Sequence, residues 1–247
     1  MIIMKQSLLT VISNNALTSN VYELKLSGIE GMNIRPGQFV NVKTDGNYLR
    51  RPISVCDAEG DILTLVYRVA GTGTAEMSTW QAGKKADVLT ELGNGYDLSA
   101  AGDHPVLIGG GVGIPPLYYL AKELKKQGKT VSAVLGFNTA SERFYEEAFR
   151  EVCDDVSVTT ADGSYGTRGF VTDALPEHPT CSYACGPMPM MKALYRTLAC
   201  DGQFSLEERM GCGFGACMGC SIQTKSGNRR VCKDGPVFRK EDLLWED

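Results

Sequence analysis

The chain has 247 residues and a formal net charge of -4, from 25 Lys and Arg against 29 Asp and Glu. This length provides enough apolar surface for two or three folding units with their own cores. The nearly balanced charge argues against nucleic acid or an anionic membrane as a partner, because both select strongly basic surfaces.

Short β-type runs separated by Gly, Asn, Asp and Pro fill residues 6–98. Several of them alternate polar and apolar residues, as half-buried strands do. We predict strands at 7–12, 21–26, 38–43, 52–56, 62–67 and 86–92. Six strands joined by tight turns favour a closed antiparallel barrel, because closure removes exposed strand edges. No helix of convincing length is predicted in this region.

Two segments of this region carry groups suited to a phosphate-containing ligand. In Arg51-Pro52-Ile53-Ser54, a guanidinium at a strand start precedes a hydroxyl by three residues, which suits a bidentate grip on phosphate. Val66-Tyr67-Arg68 and the turn Gly71-Thr72-Gly73-Thr74 offer an aromatic face, a second cation and free amides for a pyrophosphate. The alternatives are a solvated charge and a plain turn. Their occurrence on neighbouring strands favours the binding site.

At His104 the pattern changes to alternating strands and helices. An apolar strand at 105–108 leads into the glycine turn Gly109-Gly110-Gly111-Val112-Gly113, and Pro115 opens a helix that runs to about 127. Free amides at such a turn and helix start suit an anion. Alternatively, the glycines only permit close packing of the helix on the strand.

The alternation continues to residue 200. We predict strands at 131–137, 156–161 and 182–185, and helices at 141–152, near 172 and at 189–200. Repeated βα units imply a parallel sheet with helices on both faces. The glycine turn does not match G-x-G-x-x-G, and no acid follows Gly136-Phe137-Asn138, so a simple NAD dehydrogenase is disfavoured. Arg143 could meet a 2′-phosphate or be an exposed helix residue, which leaves NAD and NADP open.

Cys185-Gly186-Pro187 ends the last of these strands, at the carboxyl edge where open α/β sheets hold their ligands. A small polarizable thiol there could lie beside a flat heterocycle. Cysteine is also a common small core residue, and that interpretation stays open.

Four cysteines near the C-terminus form the pattern C-x4-C-x2-C-x11-C, at Cys212, Cys217, Cys220 and Cys232. Plant-type ferredoxins use this spacing, in which a tight loop supplies three thiolates to a 2Fe-2S cluster and a distant residue supplies the fourth. Glycines between the ligands allow left-handed backbone angles and close approach of amides to sulfur. A structural zinc site usually has two separated knuckles, and disulfides need an oxidising compartment, so both are weaker interpretations.

The rest of the cysteine pattern predicts a cytoplasmic location. The chain has nine cysteines, and the five outside the C-terminal pattern are scattered, which is typical of a reducing compartment. Residues 1–7 carry no charged segment ahead of a long apolar run, and no apolar run reaches about eighteen residues. The two histidines, His104 and His178, lie in no motif, which disfavours histidine base catalysis and a Rieske-type cluster.

The order and spacing of these motifs resemble those of the ferredoxin reductase superfamily, in which an FAD-binding barrel precedes an NAD(P)-binding α/β domain. The C-terminal segments 207–217 and 231–238 further resemble the electron-transfer subunits of NAD-linked, two-subunit dihydroorotate dehydrogenases of bacterial pyrimidine synthesis. The resemblance spans essentially the whole chain. It implies three domains: 1–99 for FAD, 100–204 for NAD and 205–247 for a 2Fe-2S cluster.

The same resemblance implies the site residues. The FAD-binding residues would be Arg51, Pro52, Ile53, Ser54, Val66, Tyr67, Arg68, Gly73 and Thr74. NAD would contact Gly109, Gly110, Gly111, Val112, Gly113, Cys185, Gly186 and Pro187. The cluster ligands would be Cys212, Cys217, Cys220 and Cys232. Phe214 and Met218 stand where other side chains occur in the family, which bears on the potential of the cluster.

The resemblance also implies a function. A catalytic partner subunit that contains FMN would oxidise dihydroorotate, and this chain would pass the electrons through 2Fe-2S and FAD to NAD+, in a heterotetramer of two copies of each subunit. A flavin belongs between the other two centres because it exchanges either single electrons or a hydride. Two other interpretations stay open: a related flavin and iron-sulfur subunit, of a bifurcating transhydrogenase or a sulfhydrogenase γ type, and a zinc-stapled nucleotide-binding regulator.

Overall fold

The computed structural model describes residues 5–245. Residues 1–4 and 246–247 lie outside the described residues. They are the ends of the first and third predicted domains, and residues 1–4 are also part of the segment in which no leader is predicted. No helix in the described range is both long and apolar enough to cross a bilayer.

The first part of the chain forms the closed antiparallel barrel that the sequence predicts, in the order β1-β2-β5-β4-β3-β6. Its strands are β1 (Lys5–Ala16), β2 (Val21–Ser27), β3 (Phe39–Val42), β4 (Arg51–Glu59), β5 (Ile62–Arg68) and β6 (Lys85–Leu92). Alternate apolar residues of these strands, such as Leu9, Leu24, Val40 and Leu65, point inward and fill the barrel.

The segment Gly71-Thr72-Gly73-Thr74, predicted as a glycine-rich turn, is instead the start of a short helix, α1 (Thr72–Ser78). The hydroxyl of Thr74 accepts hydrogen bonds from the backbone N–H groups of Ala70 at 2.9 Å and Gly71 at 3.2 Å. Met77 from the last turn packs into the barrel core. This burial stabilises a helix that Gly73 would otherwise disfavour.

The second part is a seven-stranded sheet in the order β10-β9-β8-β7-β11-β12-β15. Its parallel strands are β7 (Pro105–Gly110), β8 (Ser132–Phe137), β9 (Asp155–Thr160), β10 (Thr167–Arg168), β11 (Cys181–Cys185) and β12 (Gly202–Ser205). One face packs on α2 (Pro115–Lys126) and α3 (Glu146–Val152), and the other packs on α4 (Met188–Thr197). The predicted parallel sheet with helices on both faces is confirmed.

The predicted helix over 141–152 was wrong in its first half. A short 3-10 turn covers Ala140–Glu142, and α3 begins only at Glu146, because Tyr145 has a left-handed φ of 65°. The Tyr145 hydroxyl donates to Glu23 of the barrel at 2.6 Å. A contact between the two domains thus overrides the local helix propensity.

All four cysteines of the C-terminal pattern lie on the connection between two paired strands. β12 ends at Ser205, and β15 (Val237–Arg239) returns to pair antiparallel with it at the sheet edge. Between them lie the hairpin of β13 (Ser221–Thr224) and β14 (Gly227–Arg230), and the short helix α5 (Val231–Asp234). The sequence analysis missed β10, β12 and these last three strands, because each has only two to four residues. We call residues 206–236 the cysteine unit.

Candidate functional site

Residues 212–220, which we call the cysteine loop, direct backbone N–H groups at the sulfur atoms of the loop itself. The Cys212 sulfur accepts from the N–H of Ala216 at 3.2 Å and of Cys217 at 3.4 Å. The Cys217 sulfur accepts from Cys212 at 3.4 Å and from Gly219 at 3.5 Å. Amides that donate to sulfur stabilise the thiolate form, which is the form that binds a metal.

The four sulfur atoms occur as two pairs. Cys212 and Cys217 exchange N–H to sulfur hydrogen bonds, both at 3.4 Å, and the Cys232 N–H donates to the Cys220 sulfur at 3.4 Å. Between Lys5 and Trp245, no three Cys, His, Asp or Glu side chains converge as the ligands of a single metal ion do. Two pairs of thiols with donated amides fit the chemistry of a two-iron cluster bound by four cysteines.

Cys212 and Cys232, one from each pair, have pKa values that shift in opposite directions. Partial burial acts to raise the pKa of Cys212, but hydrogen bonds from Phe214, Cys217 and Ala216 outweigh it and lower the pKa to about 6. Burial raises the pKa of Cys232 to about 12, and the neighbouring sulfurs of Cys220 and Cys212 add to that shift. Cys212 is therefore a thiolate at neutral pH without any metal, whereas Cys232 would lose its proton on binding one.

The glycines predicted between the cysteines have identifiable roles. Gly213 and Gly215 have left-handed φ values of 77° and 91°. A Cβ at Gly213 would collide with the amide of Asn41, and a Cβ at Gly215 would collide with the Lys233 side chain. The absence of side chains therefore lets the loop reach both the barrel and α5.

The segment predicted to hold FAD brings Arg51 and α1 together. The Arg51 Nη2 donates to Asn47 Oδ1 at 2.5 Å, and the Thr72 hydroxyl donates to the same oxygen at 2.9 Å. The guanidinium lies so close over Gly73 that a Cβ there would collide with Arg51 Nε. A cation and the first turn of a helix thus share one place, which fits an anionic ligand such as a dinucleotide.

The side chains of β5 do not offer the expected aromatic face. Tyr67 is 2% exposed, stacks on Tyr22 with ring centroids 5.9 Å apart, and donates its hydroxyl to Asn14 at 3.1 Å. Val66 is 5% exposed, and only Arg68 of this segment is exposed. Any contact that Val66 and Tyr67 make with a ligand must therefore use their backbone. The strand positions Pro52, Ile53 and Ser54 are exposed or half-buried.

The glycine turn after β7 contains both closely packed glycines and an open one. A Cβ at Gly109 would collide with Ile114, one at Gly110 would approach Met190, and one at Gly113 would collide with the backbone of Cys185. These three glycines permit close packing. Gly111 differs, because it has a φ of 51° and nothing within 4 Å of its Cβ position, so it faces open space with Val112 half-buried beside it.

The turn after β11 meets this glycine turn directly. Strands β7 and β11 are neighbours in the sheet, with Cys185 opposite Gly109 in the register. A Cβ at Gly186 would approach the Gly110 nitrogen at 3.1 Å, and Pro187 lies beside Gly110. Burial raises the pKa of Cys185 to about 12, so it is a neutral thiol. Both turns therefore meet at the carboxyl edge of β7, where the chain order of the sheet reverses and open α/β sheets bind ligands.

The sequence analysis missed two barrel residues that contact the candidate sites, Asn47 and Asn41. Asn47 joins Arg51 to Thr72, and Asn41 joins the barrel to the cysteine loop through a hydrogen bond to the Cys212 carbonyl at 3.2 Å. Asn41 stands between two valines in a strand, a pattern that predicts a solvent-facing polar residue. No local signal could have identified its partner, which is 171 residues away.

Comparison with known families gives two matches within this chain. Residues 207–244 match the model of the iron-sulfur cluster binding domain of dihydroorotate dehydrogenase B. Residues 107–196 match the oxidoreductase NAD-binding domain.

Among curated proteins, a relative from Geobacillus sp. (strain WCH70) is 46% identical, over 98% of this chain and 99% of its own length. One from Shouchella clausii (strain KSM-K16) is 42% identical, over 95% and 96%. Both are named dihydroorotate dehydrogenase B (NAD(+)), electron transfer subunit.

Among solved structures, one of an NADH-dependent reduced ferredoxin-NADP oxidoreductase, described for flavin-based electron bifurcation, has a TM-score of 0.88 at 31% identity. The match covers 97% of this chain and 91% of that one. A ferredoxin NADP+ reductase from Neisseria gonorrhoeae with bound FAD and NADP has a TM-score of 0.67 at 18% identity, over 77% and 91%, and shows the fold alone.

Proposed function

This chain belongs to the family of dihydroorotate dehydrogenase B electron-transfer subunits, and from that premise we propose that it carries electrons from a catalytic partner subunit to NAD+ in pyrimidine synthesis. The observation that carries the proposal is the cysteine loop, in which backbone amides point at paired sulfurs. The barrel and the seven-stranded sheet would supply the flavin site and the NAD site that this route requires.

We assign the cluster ligands to the two observed pairs of sulfurs. Cys212 and Cys217 would hold one iron, and Cys220 and Cys232 the other. The reciprocal N–H to sulfur hydrogen bonds within the first pair support this division. The bound cluster would supply transfer of one electron at a time. The protein's own contribution is to hold Cys212 as a thiolate and to fix the loop against the barrel.

The flavin site would lie on β4 and at the start of α1. Arg51 would bind the pyrophosphate of FAD together with Gly73 and Thr74, since its guanidinium lies against Gly73. Pro52, Ile53 and Ser54 would line the strand below the ligand, and Val66, Tyr67 and Arg68 would contact it from β5 through their backbone. Bound FAD would convert single electrons into the hydride that nicotinamide accepts.

The NAD site would lie at the two turns that meet beside β7. Gly111 is the open position of the first turn, so its backbone can approach a pyrophosphate closely, with Gly110 and Val112 beside it. Gly109 and Gly113 shape the turn through packing. The neutral thiol of Cys185, with Gly186 and Pro187, would lie beside the nicotinamide ring.

The partner subunit would carry FMN and oxidise dihydroorotate to orotate, in a heterotetramer of two copies of each chain. Three residues of the cysteine loop suit the surface where such a partner delivers electrons. Phe214 is 44% exposed and Met218 is 55% exposed, and Cys217 between them is also exposed. Exposed apolar residues around a redox ligand are typical of a docking surface. All nine cysteines are outside disulfides, which supports a cytoplasmic location for this assembly.

The other interpretations have weaker support. The solved structure described for electron bifurcation is 31% identical, against 46% for a curated dihydroorotate dehydrogenase relative. A zinc-stapled regulator would not require an oxidoreductase-type NAD-binding domain, which this chain matches over residues 107–196.

The test is analysis of anaerobically purified protein, alone and with its co-purifying partner. We expect iron, acid-labile sulfide and FAD in the chain, a 2Fe-2S signal by EPR, and NAD+ reduction driven by dihydroorotate only when the partner is present. A colourless preparation that contains zinc and no flavin would contradict the proposal. Polysulfide- or NADPH-linked activity in place of dihydroorotate oxidation would point to a related complex.

A further inference from the structure

Asn41 is a polar side chain buried on the outer face of the barrel. Its neighbours in β3, Val40 and Val42, are fully buried inside the barrel, so the alternation of the strand turns Asn41 outward. It is nevertheless only 1% exposed. Phe39, on the same face, belongs to the same buried cluster as Cys220 and Cys232. The outer face of β3 is therefore covered by the cysteine unit.

The carboxamide of Asn41 makes one contact and has one atom without a partner. Its Nδ2 donates to the carbonyl oxygen of Cys212 at 3.2 Å, and a Cβ at Gly213 would collide with the same nitrogen. Within the described residues, its Oδ1 is buried and accepts no hydrogen bond. A buried acceptor without a donor costs free energy, so it indicates a donor that arrives with a bound group or with a small movement of the loop.

The other side of Asn41 faces the strand proposed to hold the flavin. Asn41 is paired with Pro52 of β4 in the antiparallel register. Side chains of such a pair lie on the same face with Cβ atoms about 5 Å apart. The backbone of Asn41 is also held, because Arg50 donates to its carbonyl at 3.4 Å and to the Asp87 carbonyl at 3.0 Å. The Asn41 side chain thus lies between β4 and the cysteine loop.

We propose that Asn41 is a positioning residue for electron transfer, which fixes the Cys212 carbonyl against the barrel and completes its hydrogen bonding with Oδ1 when the cofactors are bound. The proposal rests on the proposed function, since it assumes a cluster in the loop and a flavin on β4. Electron transfer between two centres slows steeply with their separation. A contact that fixes the loop relative to β4 therefore controls the rate, and a donor at the ligand residue's carbonyl tunes the cluster's potential.

The first experiment compares Asn41→Leu with the wild-type chain and with Thr90→Val. Leucine keeps the approximate volume and removes both hydrogen-bonding groups. Thr90 is a matched control, because it is a fully buried polar residue of the neighbouring strand β6 whose hydroxyl bonds to Lys5 and not to the cysteine loop. For each protein, iron, sulfide and flavin content, the EPR-monitored cluster potential and the rate of cluster reduction after NADH addition are measured.

We expect Asn41→Leu to keep its flavin and its NADH oxidation by a ferricyanide acceptor within about twofold, because the hydrogen bond that is lost goes to the cysteine loop and not to the proposed flavin or NAD residues. Cluster reduction should slow about tenfold, or the equilibrium of electrons between flavin and cluster should change about tenfold, which is 59 mV for one electron. If both the rate and the potential match those of Thr90→Val, the inference is wrong. Absence of iron from the wild-type chain would instead overturn the proposed function.

A second experiment tests the contact between Asn41 and the loop at Gly213. It remains informative if one variant is less stable, because it compares single and double variants. Gly213→Ala should displace the loop, because its Cβ would collide with the Asn41 amide, and Asn41→Ala removes that obstacle. We expect the double variant to reduce its cluster faster than Gly213→Ala alone, so that the two effects are not additive. Additive effects in this cycle would contradict a direct role of the Asn41 side chain.

Discussion

Lys122 of α2 donates a hydrogen bond to Asp57 of β4 at 2.7 Å and thereby joins the nucleotide-type sheet to the barrel. The same ammonium contacts Glu59 at 2.7 Å. Both partners of the Lys122–Asp57 pair are largely buried, with side chains 17% and 15% exposed. Burial alone would lower the pKa of Lys122, but the hydrogen bonds that it donates to Asp57 and Glu59 raise the pKa above its usual value.

Loss of this ion pair should loosen the two domains. We expect Lys122→Met to lower the free energy of unfolding by about 1.5 to 3 kcal/mol, because two carboxylates lose a charged donor. Chemical denaturation at neutral pH measures this change. Lys126→Met is the control, since Lys126 is 65% exposed and pairs with Glu123 of its own helix. Equal effects of the two substitutions would show that the contact between the domains does not contribute to the free energy of unfolding.

Displacement of Arg51 should weaken flavin binding. In Gly73→Ala, the new Cβ would collide with Arg51 Nε and push the guanidinium aside, so we expect the FAD dissociation constant to rise about tenfold or more. Gly71→Ala is a matched control, because Gly71 has an extended φ of -173° and nothing within 4 Å of its Cβ position. Fluorescence titration of the apoprotein with FAD compares them. Similar FAD affinities for both variants would show that Arg51 does not bind the flavin.

Removal of one proposed ligand should abolish the cluster and spare the flavin. We expect Cys217→Ser to lose the 2Fe-2S EPR signal and dihydroorotate-driven NAD+ reduction in the complex, while NADH oxidation by a dye through FAD persists. Cys200→Ser controls for the loss of a thiol, because Cys200 is half-buried and lies outside the cysteine unit. If Cys217→Ser kept full dihydroorotate-driven NAD+ reduction in the complex, the electrons would not pass through a cluster bound by Cys217.

The surroundings of Arg143 predict a preference for NAD+ over NADP+. The guanidinium stacks 3.4 Å from the Tyr165 ring centroid and pairs with Glu146 at 2.6 Å, so its charge is already compensated. Arg143 lies beyond the end of β8, which is the second strand of the seven-stranded sheet in chain order. A 2′-phosphate would be recognised at this place. We expect Glu146→Gln to raise kcat/KM for NADP+ about tenfold and to leave that for NAD+ nearly unchanged. Glu147→Gln, at an exposed neighbour, should change neither value.

Glu146 should also make stability dependent on pH. Burial acts to raise the pKa of Glu146, but hydrogen bonds from Arg150 and Tyr165, together with the charges of Arg150 and Arg143, lower it below its usual value. A carboxyl with a lowered folded-state pKa stabilises the protein above its unfolded pKa of about 4.3, and this contribution is lost as the pH falls through the folded value. The difference in unfolding free energy between the wild type and Glu146→Gln should therefore shrink below about pH 4.3. A difference that stays constant from pH 7 to pH 3 would contradict this.

The sequence predicted the parts of the fold whose signals are local. Strand alternation located all six strands of the barrel, and the order of strands and helices predicted the parallel sheet. It failed at Tyr145, where a hydrogen bond to Glu23 in another domain interrupts a helical pattern. It also failed at Tyr67, because alternation alone does not reveal which side of a barrel strand is closed by packing.

The cluster motif of Cys212, Cys217, Cys220 and Cys232 was identified from the sequence alone, because it is defined by the spacing of the ligands along the chain. The glycines between these cysteines also allow the left-handed backbone angles of the loop. The tertiary structure alone decided where that loop lies. The pairing of β12 with β15 holds its two ends at the sheet edge, and Asn41 of the barrel meets the Cys212 carbonyl from 171 residues away. Such contacts arise only when separately formed elements pack, so no pattern along the chain encodes them.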